Sequence, residues 1–135
     1  MTNLEHIRVR DAMHQGIVTC TGDTPLTDIA ALMASHRLHA VAVTDTEGGR
    51  PLGVVSALDV MGAISSGAEL TAAQVAGTEP LAISSDERLQ RAAQMMHEHA
   101  VSHLVVLEAA SGKPVGVLST LDLAAVYAES AKAAA

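Results

Sequence analysis

The sequence predicts a mixed α/β protein (α+β) built from two copies of one strand–helix–strand–strand–helix unit, and three observations predict it. A heptapeptide recurs: Gly53-Val54-Val55-Ser56-Ala57-Leu58-Asp59 returns 63 residues later as Gly116-Val117-Leu118-Ser119-Thr120-Leu121-Asp122. Helical periodicity precedes each heptapeptide, and short β-branched runs bracket a Gly-containing turn between the two. Sliding the chain by the same offset pairs Asp23 with Asp86, Leu26 with Leu89, Ala30 with Ala93, Met33 with Met96, His36 with His99, Val43 with Val106, Gly49 with Gly112 and Pro51 with Pro114. Residues 11–60 align on 74–123 without a gap, and roughly a quarter of the pairs are identical.

The elements follow in order. Ile17-Val18-Thr19-Cys20 and Leu81-Ala82-Ile83 are short strand candidates. Thr24-Pro25 is a helix start, a hydroxyl N-cap followed by a proline whose missing N–H costs nothing at the first helical position. Leu26, Ile29, Ala30 and Met33 then fall on one helical face, and the second copy keeps that face as Leu89, Ala92, Ala93 and Met96. Val41-Ala42-Val43 and Leu104-Val105-Val106-Leu107 read as buried strands, followed by the turns Glu47-Gly48-Gly49-Arg50 and Ala110-Ser111-Gly112-Lys113. Second strands, Pro51 to Ser56 and Pro114 to Ser119, lead into final helices beginning near Leu58 and Leu121. The division by repeats is 1–64, a linker at 65–69 (Ser65-Ser66-Gly67-Ala68-Glu69), and 70–135. A repeat of roughly 60 residues buries little surface by itself, so the two copies are expected to share a core in one globular pair.

Composition narrows the function classes. The chain has 135 residues, 49% hydrophobic and 17% charged, which predicts a folded protein rather than a disordered one. With no Trp, no Phe and Tyr127 as its single aromatic residue, it lacks a base-stacking platform, so a flat ligand ring must rest on aliphatic side chains and backbone. The net charge of −7, without a Lys/Arg run, makes long nucleic acids and anionic membranes poor partners. A lone cysteine, Cys20, cannot form an internal disulfide or a multi-cysteine zinc site and fits a reducing compartment; it reads as a small buried hydrophobe. The charged N-terminus lacks a signal peptide's apolar core, and no stretch approaches the ~18 apolar residues of a membrane span. A cytoplasmic location is expected.

On the doubled heptapeptide and the lead-in Val9-Arg10-Asp11-Ala12-Met13, the chain from about Val9 to Tyr127 resembles a tandem pair of cystathionine-β-synthase (CBS) domains. The heptapeptide is similar to that family's nucleotide motif of glycine, two apolar residues, Ser or Thr, two variable residues and Asp. The resemblance implies a β-α-β-β-α fold per repeat, two repeats packed through their sheets with pseudo-twofold symmetry, and association of two pairs into a homodimer. It also implies an adenosine-containing ligand, AMP, ADP, ATP or S-adenosylmethionine, bound in clefts between repeats as a regulatory signal, with no cofactor required.

The residue types suit such a ligand. Gly53 and Gly116 lack a Cβ, allowing close backbone approach or a bend at a strand's end. Ser56 and Ser119 place hydroxyls where strand gives way to helix, near N–H groups that favour phosphate. Asp59 and Asp122 can accept hydrogen bonds from a ribose diol. Ser56-x-x-Asp59 and Ser119-x-x-Asp122 equally fit a helix-capping box, and both roles stay open. Val18, Thr19, Leu81 and Ala82 are the expected surroundings of the adenine. His39 and His103 are the candidates to face phosphate; a histidine gains charge as pH falls, so either would strengthen nucleotide binding in acid. They are not repeat-equivalent, since His39 aligns with Ser102 and Ala40 with His103, which predicts two unlike sites. His97-Glu98-His99 with His103 departs from zinc spacing and reads as a solvated helix end, so no metal is expected. The rival classes are a ligand-free dimerisation or docking scaffold for an unidentified enzyme or transporter, and an enzyme, for which no nucleophile–base pair, P-loop or metal triad is visible.

Overall fold

The computed structural model describes residues 5–13, 18–46, 49–76 and 81–134. Ile17, expected to open the first strand, and Glu47-Gly48 of the first turn lie outside the described residues. The elements run α1 (Val9–Ala12), β1 (Thr19–Thr21), α2 (Leu26–His36), β2 (Ala40–Thr44), β3 (Pro51–Ser56), α3 (Ala57–Ser66), α4 (Ala72–Ala76), β4 (Ala82–Ser84), α5 (Leu89–His99), β5 (His103–Leu107), β6 (Pro114–Ser119) and α6 (Thr120–Ala134). The expected strand–helix–strand–strand–helix order holds in both copies, with the final helices starting one residue earlier than Leu58 and Leu121.

Each repeat builds a three-stranded sheet with its middle strand at the centre, β1-β2-β3 and β4-β5-β6. The first two strands of each are parallel, because the helix between them carries the chain back, and the last two form an antiparallel hairpin. The repeat extends to irregularities: the register shifts between Val43 and Thr44 and, at the equivalent place, between Val106 and Leu107. Every residue of β2 is buried, as its Ala-Val-Ala-Val-Thr run implies for a central strand covered on both faces. Thr44, the buried polar exception, donates its hydroxyl to the Cys20 carbonyl at 3.4 Å. Cys20 is itself buried; desolvation pushes its thiol above the ordinary range, partly offset by a hydrogen bond with Thr24.

The buried helical faces are Leu26, Ile29 and Met33 on α2 and Leu89, Ala92 and Met96 on α5. Ala93, expected on that face, is exposed, and its partner Ala30 is half-buried: the stripe is narrower than the sequence spacing suggested. The entrance to α2 also differs from expectation. Pro25, rather than Thr24, is the N-cap, with φ −63° and ψ 144°. The cause is a backbone pairing that the sequence does not announce: Pro25 bridges Thr71, the Leu26 N–H donates to the Leu70 carbonyl at 2.9 Å, and the Ala72 N–H donates to the Thr24 carbonyl at 2.9 Å. At the equivalent entrance to α5, Arg8 bridges Arg88 and the Leu89 N–H donates to the Ile7 carbonyl at 2.9 Å.

These pairings exchange the lead-ins. Contacts divide the chain into a continuous unit, Ile17–Pro80, and a unit assembled from Met1–Gly16 and Leu81–Ala135. Buried hydrophobics accordingly form two clusters instead of the single shared core expected from repeat size. One gathers Cys20, Leu26, Ile29, Met33, Val41, Val43, Val55 and Ala63 with Ala72 of α4. The other gathers Ile83, Leu89, Ala92, Met96, Leu104, Val106 and Leu118 with Val9 of α1. Each small sheet obtains enough apolar cover by recruiting the lead-in that precedes the other repeat. Of the stretch 65–69, Ser65 and Ser66 complete α3, and Gly67 ends it in the left-handed conformation, φ 71°.

Arg37 and Ala100 also close their helices left-handed, at φ 55° and 53°, where a Cβ is unfavourable. Ala100→Gly is therefore expected to stabilise the protein by about 0.5–1 kcal/mol, seen as a higher urea midpoint; a lower midpoint would contradict the backbone assignment.

Candidate functional site

The doubled motif lies where the last strand of each sheet becomes the following helix. Ser56 has extended backbone, φ −95° and ψ 164°, and caps α3: its hydroxyl oxygen accepts the Asp59 N–H at 3.2 Å, while Asp59 Oδ2 accepts the Ser56 N–H at 2.8 Å and the Ser56 hydroxyl at 3.0 Å. At α6 the geometry repeats. Asp122 Oδ2 accepts the Ser119 N–H at 2.9 Å, and Ser119 Oγ accepts the Asp122 N–H at 3.2 Å. All four residues are half-buried. Both capping boxes are thus formed, and they fix the rotamers of two carboxylates at the ends of two sheets. In the Asp59 box the bonds fall on Oδ2, leaving Oδ1 outside it.

The helix starts are less open to phosphate than the sequence suggested. The Ala57 N–H donates to the His39 carbonyl at 2.8 Å and the Thr120 N–H to the Ser102 carbonyl at 3.0 Å, so the first-turn donors at positions 57 and 59, and 120 and 122, already have protein partners. His39 contributes its backbone to this turn while its side chain is exposed. His103 begins β5 directly across the ladder from Ser119, where residues share a sheet face, and its Nδ1 lies 2.9 Å from the Ser102 hydroxyl. In the other unit the residue across from Ser56 is the buried Ala40. The two ends differ in this imidazole.

The residues expected around an adenine occupy the same end of each sheet. Val18 accepts the Ala42 N–H at 3.3 Å, and Thr19 pairs with Ala42; Leu81 accepts the Val105 N–H at 3.0 Å, and Ala82 pairs with Val105. Strand starts and motif helix starts therefore come together within each unit: Val18, Thr19, His39, Ser56 and Asp59 in one, Leu81, Ala82, His103, Ser119 and Asp122 in the other. The glycines sit apart from them, three residues back along the last strand, facing Val43 and Val106 in the ladders. A Cβ on Gly53 would stand 2.7 Å from the Ala76 Cβ and 3.0 Å from its carbonyl oxygen, so the close approach seen at this glycine is that of α4.

Sequence reading missed α4. The offset carries Val9-Arg10-Asp11-Ala12 onto Ala72-Ala73-Gln74-Val75, which shares no identical residue with it. A signal was nonetheless present in Thr71-x-x-Gln74: the Gln74 side-chain oxygen accepts the Thr71 N–H at 2.8 Å, as Asp11 accepts the Arg8 N–H at 3.0 Å. An apolar groove of about 610 Å³ between α2 and α3, lined by Leu26, Ala30, Val60, Ala63, Ile64 and Leu70 among others, contains none of the expected site residues. Among the described residues no group of three or more His, Cys, Asp or Glu side chains could hold a metal ion, and no helix is long and apolar enough to cross a membrane.

Ser56→Ala and Ser119→Ala should each lower stability by about 1 kcal/mol, measured by urea denaturation. Since the boxes belong to different units, the double variant should lose the sum to within about 0.5 kcal/mol.

Comparison with known proteins agrees with this architecture. The CBS domain of protein MJ0100, a pair solved in complex with 5′-methylthioadenosine and S-adenosyl-L-methionine, superposes with a TM-score of 0.81 at 16% identity, covering 91% of this chain and 97% of that one. The CBS domain protein PAE2072 from Pyrobaculum aerophilum, complexed with AMP, superposes with a TM-score of 0.79 at 27% identity, covering 93% and 99%. A homoserine O-acetyltransferase from Methanohalophilus mahii is 28% identical over 97% of this chain but only 26% of its own length, and the chain spans about a quarter or less of the curated relatives it matches. The CBS domain model matches twice in tandem, at residues 9–66 and 72–129, and the chain belongs to the CBS domain family.

Proposed function

We propose that this CBS pair is a regulatory, non-catalytic module that binds an adenosine-containing ligand, AMP, ADP, ATP or S-adenosylmethionine, as an energy or metabolite sensor in the cytoplasm. The observation that carries the reading is the duplicated Ser–Asp box, a preoriented carboxylate placed beside the strand starts of its own sheet. The AMP complex of a 27% identical relative supports it. In this reading Asp59 and Asp122 accept from the ribose hydroxyls, Ser56 and Ser119 contact ribose or phosphate, and backbone near Val18-Thr19 and Leu81-Ala82 frames the base. With the N–H groups at 57, 59, 120 and 122 engaged, His39 and His103 are the side chains assigned to face phosphate in a chain of net charge −7. Gly53 serves the site indirectly, by letting α4 close against β3, and Gly116 holds the matching ladder position across from Val106.

Titration calorimetry with the four ligands tests this. Asp59→Asn with Asp122→Asn keeps an oxygen that can accept the Ser N–H while removing the charge, so the fold should survive. Affinity should fall at least about tenfold, the worth of a hydrogen bond to a charged group. Unchanged affinity in the folded variant would remove these residues from the site; no heat from any ligand with the native chain would favour the scaffold reading instead.

We also propose that the module is a homodimer. Leu58, Met61 and Ile64 on α3 are 80%, 60% and 68% exposed, and Leu121 and Tyr127 on α6, which align with Leu58 and Ile64, are 64% and 57% exposed. Large apolar side chains open at matching positions of both repeats suit a self-complementary partner. Sedimentation equilibrium should give twice the chain mass, and Leu58→Asp with Leu121→Asp should reduce it to one; a monomeric native protein overturns the assignment.

A further inference from the structure

The chain passes between its two units between Gly16 and Ile17 and again between Pro80 and Leu81. One unit is continuous, whereas the other must join two pieces separated by the whole of the first. The seat of the N-terminal piece is well defined. The Val9 N–H donates to the Glu87 carbonyl at 2.9 Å, the Arg10 N–H to the Ser85 carbonyl at 3.0 Å, and the Arg10 guanidinium pairs with the Asp86 carboxylate. Val9 is wholly buried beside Ile83, Leu89 and Leu118. Within the continuous unit, the segments next to its two ends lie together: Val18, Val75 and Ala76 pack on one cluster, and the Ala73 N–H donates to the Gly22 carbonyl at 2.9 Å.

We propose that this insertion couples the two repeats through chain connectivity, so that each stabilises the other without needing to touch it. When Ile17–Pro80 is folded, it holds the lead-in close to its seat. When it is unfolded, the lead-in must find that seat across a flexible loop of roughly 60 residues, at a closure cost that grows with loop length. The converse follows from linkage: a seated lead-in closes the ends of Ile17–Pro80 and removes freedom from its unfolded state.

The test inserts twelve Gly/Ser residues into the full chain between Gly16 and Ile17 and follows amide hydrogen exchange by mass spectrometry. The insertion changes the tether and leaves every described contact in place. The two connections, residues 14–17 and 77–80, total eight residues, so adding twelve gives by the three-halves-power rule about a fourfold rise in exchange through unfolding. The rise should be equal in β2–β3 and in β5–β6. A four-residue insertion should give a smaller rise, and the long insertion moved to the exposed turn at Ser111-Gly112 should leave β2–β3 unchanged. No change in either unit, or a change confined to β5–β6, overturns the proposal.

Discussion

Two short backbone pairings hold the rest of the architecture in place: Ile7–Val9 against Glu87–Leu89, and Leu70–Ala72 against Thr24–Leu26. Each supplies a partner to the first N–H of a core helix, a donor that a helix cannot satisfy internally. Each also inserts a residue, Val9 or Ala72, that is fully buried. Helix position, cluster completion and the entry point of the lead-in are thus set by one contact per unit. The neighbouring Gly53 completes the second pairing's work, since α4 could not lie on β3 against a side chain there.

The candidate site depends on that frame. Ser56 and Ser119 can cap only because the strand delivers them extended at a helix start, and strand position follows from the ladders to β2 and β5. Capping and ligand recognition are compatible uses of one carboxylate. The cap holds Asp59 through Oδ2, so a ligand would meet a side chain whose rotamer entropy has already been lost in folding. At the ladder position of the capping serine the repeats differ: an imidazole lies across from Ser119, a methyl across from Ser56. The capping geometry is duplicated, and the side chain facing it is not.

Much of this was legible in the sequence because its causes are local. Apolar spacing placed α2 and α5, β-branched runs placed β2 and β5, and the Ser-x-x-Asp pattern announced both caps. What was hidden depends on distant backbone. Pro25 became a cap because Leu70 lies against the helix entrance, and the first N–H of each motif helix was occupied by a carbonyl, of His39 or Ser102, which no side-chain pattern encodes. The exchange itself was invisible to repeat matching, since Val9–Ala12 and its counterpart share geometry and a capping device without sharing a residue.

The exchanged lead-ins bear on what half of this chain would be. A chain carrying one repeat presents its lead-in to a neighbour and leaves its own helix entrance to be filled, so two such chains would complete each other by reciprocal swapping, at an efficiency set by protein concentration. Written in tandem, the same swap becomes internal and dilution no longer opposes it.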